Sequence, residues 1–187
     1  MTAKEAAETL KSKFADAITG IHEFRDETTL VVDSSKIVDI CTHCRDELKF
    51  DFLADICSVD NMGDDPRFEM VYHLYSYAHF STLRIKASLA EDAAEIDSVT
   101  GIWETANWHE REVYDMMGIT FRNHPDLRRI LMWEGYPHYP LRKEFPLAGK
   151  PTEMPDVAFT KEAPMEGGPF VTSPTRDAVK GEPRSRA

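Results

Sequence analysis

Long apolar runs, paired cysteines and an excess of basic residues are all missing from this 187-residue sequence. No stretch approaches the ~18 consecutive apolar residues of a membrane-spanning helix; Ile130-Leu131-Met132-Trp133 is among the longest runs. The amino terminus mixes Glu5, Glu8 and Asp16 into its apolar residues and has no signal-peptide core, so export is not expected. Three cysteines, an odd number in a chain long enough to fold without staples, argue against a disulfide framework and for a reducing compartment. Lys and Arg total 22 against 33 Asp and Glu, a net charge of −11. Binding a phosphate backbone needs clustered cations, so a nucleic-acid partner is excluded. Also missing are a glycine-rich phosphate cradle, a serine nucleophile elbow and a dinucleotide fingerprint.

What is present suffices for a core: 42% of residues are hydrophobic and 10% aromatic. The charge is unevenly placed. Residues 1–108 hold 10 basic and 21 acidic residues, whereas residues 109–146 and 147–187 each hold six of either sign. Three regions are expected: an α+β domain over 1–121, an Arg- and Pro-rich docking strap over 122–147, and an extended Pro- and Gly-rich tail over 148–187.

In the first region, Thr2 and Glu5 have capping-box spacing, and Leu10, Phe14, Ala17 and Ile18 follow at helical intervals, predicting a helix to about Gly20. β-Branched residues predict a strand over 28–33, and Asp33, Ser34 and Ser35 offer N-caps for a helix to about Leu48. Alternation over 50–59 puts Phe50, Phe52, Ala54 and Ile56 on one face and Asp51 and Asp55 on the other. It resumes through Phe68, Met70, Tyr72 and Leu74, and again through Leu83, Ile85, Ala87 and Leu89, predicting an antiparallel meander with one buried face. A last helix runs from about Thr105 to Met117 and stops at Gly118. The fold expected is α+β, a mainly antiparallel sheet with helices packed on it, followed by the irregular strap and tail.

Two clusters invite a chemical reading. Cys41 and Cys44 form one pair where a zinc or iron–sulfur site commonly uses two, and Ile37, Cys41, Cys44 and Leu48 fall on one helical stripe, so both thiols are expected in the core. His109-Glu110-Arg111-Glu112 lacks the second histidine of a zinc-protease helix, because position 113 is Val. Glu110 and Glu112 lie about 200° apart on a helix, whereas Arg111 and Asp115 are four residues apart and able to pair, so a charged helix face near an interface is expected. From Arg122 to Pro146, guanidinium groups interleave with aromatics, Met and Pro, the mixture that protein interfaces favour.

Residues 110–131, EREVYDMMGITFRNHPDLRRIL, resemble the signature of the C-subunit family of the proton-pumping NADH:quinone oxidoreductase, respiratory complex I. Glu110, Arg111, Glu112, Asp115, Met116, Met117, His124, Arg128, Ile130 and Leu131 fill its places, and Pro140-Leu141-Arg142-Lys143-Glu144-Phe145-Pro146 matches its second block. The sequence departs from the pattern at Asn123, where Gly is usual before the histidine, and at Tyr136, where Trp is typical. The resemblance implies a non-catalytic peripheral-arm subunit on the cytoplasmic side of the membrane, scaffolding the cluster- and quinone-binding subunits during electron transfer from NADH to quinone. It implies no catalytic residue and no cofactor or metal on this chain, with FMN and iron–sulfur clusters on partner subunits. The expected partners are the subunit related to hydrogenase large subunits and its terminal-cluster neighbour. Glu110, Arg111, Glu112, Asp115, His124, Arg128, Arg129, Arg142 and Lys143 are the expected docking or strap-ordering residues. Similar subunits also serve membrane-bound hydrogenases and ferredoxin or deazaflavin dehydrogenases, a second reading; a free-standing metalloenzyme using Cys41, Cys44, His109 or His124 is a remote third.

Overall fold

The computed structural model describes residues 1–150, so most of the expected tail lies outside the described residues. Met1–Arg142 forms one compact unit, and Lys143 begins a second. The expected first division, at 121, falls inside a strand of the first unit. In the second unit, the Gly149 N–H donates to the Pro146 carbonyl and the Lys150 ammonium lies 5.9 Å from the Phe145 ring. No helix among the described residues is long and apolar enough to cross a membrane.

The first unit runs α1 (Ala3–Lys13), β1 (Ile18–Phe24), β2 (Glu27–Val32), α2 (Ile37–Asp46), β3 (Phe52–Asp60), β4 (Phe68–Ser76), β5 (Ser81–Leu89), β6 (Glu95–Asp97), α3 (Ala106–Met117) and β7 (Thr120–Arg122). The five long strands form one sheet in the order β1-β2-β5-β4-β3, antiparallel except where β2 runs parallel to β5. The short strands β6 and β7 pair in parallel. The expected α+β architecture and the β3-β4-β5 meander are therefore present.

Local chemistry explains the helix starts. The Thr2 hydroxyl accepts from the Glu5 N–H at 3.2 Å while the Glu5 carboxylate accepts from the Thr2 N–H at 2.9 Å, a complete capping box. Asp33 caps a short 3₁₀ turn that leads into α2 by accepting from the Ser35 N–H. Ile37, Cys41, Cys44 and Leu48 are all buried, as the stripe predicts.

The first helix corrects the sequence reading: α1 stops at Lys13, and Ile18, expected on its apolar stripe, begins β1. Cross-strand pairing with β2 outweighs weak helical periodicity here, and the hairpin turn is Arg25-Asp26, both with positive φ and neither a glycine. A second correction concerns β3. A bulge between Leu53 and Asp55 inserts Ala54, so Leu53 and Ile56 point into the core while Phe52 and Asp55, expected on opposite faces, share the outer face opposite Tyr75 and His73.

One side of the sheet carries the core. Phe68, Met70, Tyr72 and Leu74 of β4 are buried in the same cluster as Ala6, Leu10, Ile40 and Cys44 of the helices. Alternate residues of β4, including Glu69, His73 and Tyr75, are only half-buried on the other side. At the distal end of β3 and β4, the Arg67 guanidinium makes a fork-on-fork pair with Asp60, two bonds of 2.8 Å, with both side chains out of water.

Candidate docking site

Every α-helix ends with four carbonyls that have no partner within the helix. In α3 these belong to Tyr114, Asp115, Met116 and Met117, and the chain that follows returns to satisfy each one. The Gly118 N–H donates to Tyr114 at 2.9 Å and an Arg129 Nη to Asp115 at 3.0 Å; the Leu141 N–H donates to Met116 at 3.1 Å and the Arg142 Nε to Met117 at 2.7 Å. Two guanidinium groups thus sit at the negative end of the helix dipole, where cations are favoured.

The Asp115 side chain, itself fully buried, completes the anchor. One carboxylate oxygen accepts from the N–H groups of Ile130, Leu131 and Met132 at 3.0, 2.7 and 2.8 Å, and the other accepts from Arg129 at 2.6 Å. Burial pushes its pKa up, but the Met132 N–H, the Arg129 guanidinium and the other two N–H groups together hold it below the usual carboxylate value. Arg111 does not pair with Asp115 as the four-residue spacing suggests. It donates to the carbonyls of Arg128 and Arg129 at 3.2 and 3.3 Å and lies over the Trp108 ring. Arg129 also donates to the Tyr136 carbonyl and stacks near Tyr136 and Tyr139, while Arg142 stacks on Tyr139 and Phe68.

Gly118 makes this closure possible. It adopts the left-handed φ of 73°, and a Cβ there would lie 2.6 Å from the Tyr139 ring. Gly118→Ala is expected to cost about 2 kcal/mol from the strained dihedral and displaced ring together, read as a lower urea midpoint. Asn123 also adopts a positive φ, 64°, a conformation Asn tolerates better than most residues and Gly adopts freely.

Glu110 corrects the expectation of a charged outer face. Its side chain is fully buried, one oxygen accepts from the Val99 N–H at 2.8 Å, and the other has no hydrogen-bond partner among the described residues. Burial raises its pKa to about 7 against the pull of Ser98 and the Val99 N–H. The His124 ring stands 4.0 Å from it, also buried; its Nδ1 accepts from the Asp126 N–H at 3.0 Å, which assigns the proton to Nε2, directed at the Asn107 carbonyl. Glu112 is exposed on the opposite side of α3, Arg128 is exposed and pairs with Asp126, and Lys143 belongs to the second unit.

The expected residues therefore divide by geometry: Arg111, Asp115, Arg129 and Arg142 come together beneath the strap, Glu110 and His124 lie in the core beside it, and Glu112 and Arg128 face outward. The sequence reading missed Tyr139, whose ring fills the space over Gly118, and the buried Asp60–Arg67 pair; a single aromatic among six Tyr and a carboxylate seven residues from an arginine carry no recognisable spacing. Above the anchor, Trp108, Leu131 and Leu141 are each about 60% exposed. Among the described residues no three His, Cys, Asp or Glu side chains are grouped as a metal site. Burial raises the Cys44 thiol to about 12 and Cys41 well above its usual value.

Residues 30–151 match the family described as respiratory-chain NADH dehydrogenase, 30 kDa subunit. The NADH-quinone oxidoreductase C-subunit of Geotalea uraniireducens is 49% identical over 144 residues, covering 77% of this chain and 88% of that protein. The corresponding C-subunit 2 of Rhizobium etli is 43% identical over 176 residues, covering 93% and 91%. Among solved structures, a trypsin-resistant fragment of Nqo5 superposes with a TM-score of 0.60 at 28% identity, covering 66% of this chain and 98% of the fragment. The family match over residues 30–151, the sequence identity along most of the chain and the shared α+β fold place it in the 30 kDa subunit family of respiratory NADH dehydrogenases, as a C-subunit of NADH-quinone oxidoreductase.

Proposed function

We propose that this chain works without an active site of its own, as a rigid docking element on the cytoplasmic side of the membrane. In this reading its partners are the hydrogenase-large-subunit-like protein that forms the quinone site and the neighbour that holds the terminal cluster. FMN and the iron–sulfur clusters are held by partner chains. The observation that carries the reading is the division of labour in the strap: its backbone is pinned by Asp115, Arg111, Arg129 and Arg142, while its Leu131 and Leu141, and Trp108 of α3, face water. Apolar side chains ordered in advance lose little entropy on binding, which is how pre-organisation raises affinity.

The test uses Arg128→Glu combined with Leu131→Ser, two outward-facing positions. The chain's own unfolding midpoint is expected to change little, since surface substitutions typically cost no more than ~0.5 kcal/mol. Assembled complex on native gels is expected to fall several-fold, while NADH:quinone turnover per assembled complex stays constant. Full assembly with lost turnover would show a direct catalytic contribution and overturn the reading.

A further inference from the structure

The sheet surface away from the helices is electrically uneven in a way the strap does not explain. Over most of it, charges cancel across neighbouring strands: Arg84 pairs with Glu27 and Lys86 with Glu69. At the β3 edge they do not. The bulge at Ala54 brings Phe52 and Asp55 to the same face, where Phe52 meets Tyr77 with ring centroids 5.7 Å apart and Tyr77 meets Tyr75 at 5.0 Å. A groove of about 480 Å³ opens along these rings and is completed by Asp55, His73 and Arg84. Asp51 adjoins it by accepting from the Tyr77 N–H; among the described residues no cation pairs with Asp51, and the basic group paired with Asp55, which also meets the Cys57 thiol, is the His109 imidazole at 3.3 Å. Burial, and then Arg84, hold His73 toward its neutral form, so it adds little positive charge.

Three aromatic rings with two under-compensated carboxylates suit a guanidinium, which stacks on a ring face while its edge donates to carboxylate. We propose that this groove docks an arginine-bearing extended segment of another subunit of the assembly, forming a second interface chemically distinct from the strap. The charge of the whole molecule complements this occupant, because the net −11 lies entirely within residues 1–108, which contain the groove. Bulges recur where a strand edge must re-aim a side chain, and without this one Phe52 and Asp55 would point to opposite faces. The partner in the proposal rests on the subunit reading above; the guanidinium chemistry does not.

The experiment has two arms. The isolated full-length chain is titrated with N-acetyl-arginine amide and, separately, with the uncharged N-acetyl-citrulline amide, following ring resonances of Phe52, Tyr75 and Tyr77. The arginine amide is expected to bind on the order of fivefold more tightly, about 1 kcal/mol, with the preference lost in Asp51→Asn/Asp55→Asn. Equal binding of the two amides overturns the proposal. In the second arm, a photo-crosslinking benzoylphenylalanine replaces Tyr77, and in a control chain the exposed Met62 in the turn after β3, at the opposite end of that strand from Phe52, in the purified assembled complex. A crosslink from position 77 to a segment carrying arginine supports the proposal. A position-77 probe that reaches no protein in a normally assembled complex, or reaches a segment lacking arginine, overturns it. Arginine-selective binding by a chain found outside any complex overturns the subunit reading and the partner, but not the guanidinium chemistry.

Discussion

Asp115→Asn lowers the unfolding free energy of the chain by about 3 kcal/mol and opens the strap to protease. The expected size follows from what the carboxylate does. It takes four hydrogen bonds, three from consecutive backbone N–H groups and one from Arg129, in a site closed to water. An amide of the same shape presents an NH₂ either to the three N–H donors or to the guanidinium, so buried donors are left facing a donor, and a broken buried pair costs about 3–5 kcal/mol. Urea unfolding gives the energy. Brief trypsin treatment gives the location, because Arg122, Arg128, Arg129, Arg142 and Lys143 are its cleavage points within the strap. The acid dependence follows from the lowered pKa: a carboxyl whose folded value lies below its unfolded 3.8 contributes its stability above pH 3.8 and loses it as pH falls through the folded value. Wild type therefore loses this anchor only below pH 3.8, whereas Asp115→Asn lacks it at every pH. Unchanged cleavage and an unchanged midpoint in the variant would refute the anchoring role.

Glu110→Gln is expected to have the opposite sign. The fold holds this carboxyl at a pKa of about 7, against an ordinary 4.5, so the native state favours the protonated form. Below pH 4.5 both folded and unfolded chains carry the proton, and the group is neutral to stability. As pH rises from 4.5 to about 7 the unfolded chain ionises first and the native state is progressively penalised, to a plateau of about 3 kcal/mol above pH 7. Glutamine keeps the oxygen that accepts from Val99 and cannot ionise, so the variant should match wild type at pH 4.5 and exceed it by up to ~3 kcal/mol at pH 8. Urea midpoints at the two pH values decide the matter. A variant destabilised equally at both would show that shape and hydrogen bonding at this site, not ionisation, set its energetics. Buried neighbours share the environment, since Tyr72 and Cys41 are also held protonated, chiefly by burial and with Glu110 contributing.

Both sites lie within the motif that the sequence singles out, yet the motif does not show their roles. Spacing on a helix predicts that Arg111 reaches Asp115, because residues four apart are neighbours. The structure pairs Asp115 with Arg129 instead, fourteen residues on, because the strap doubles back over the end of α3 and offers three N–H groups with the guanidinium. Glu110 reads as surface because charged residues seldom lie wholly inside. Only the 98–103 loop, bringing the Val99 N–H onto its oxygen, allows its burial. The bulge in β3 is a similar case: strict alternation places Phe52 inside, and one inserted residue puts it outside.

Elements with strong local signals were legible without coordinates. The capping box of α1, the cysteine stripe of α2, the alternation in β4 and β5 and the glycine stop of α3 are each written in residues within a few positions of one another, and short-range sterics and hydrogen bonding suffice to impose them. The identity of the family is also a property of the sequence alone, carried by two spaced blocks over residues 110–146. Tertiary structure decided what has no local cause. It turned Ile18 into a strand by pairing it with Val32, and it joined β6 to β7 across twenty-five residues, Glu95 to Thr120. It also sorted one run of charged residues into anchors, buried acids and outward-facing contacts. The physical reason is the same throughout: a hydrogen bond or ion pair between distant residues exists only once the chain has closed the loop between them, and no sequence window contains both partners.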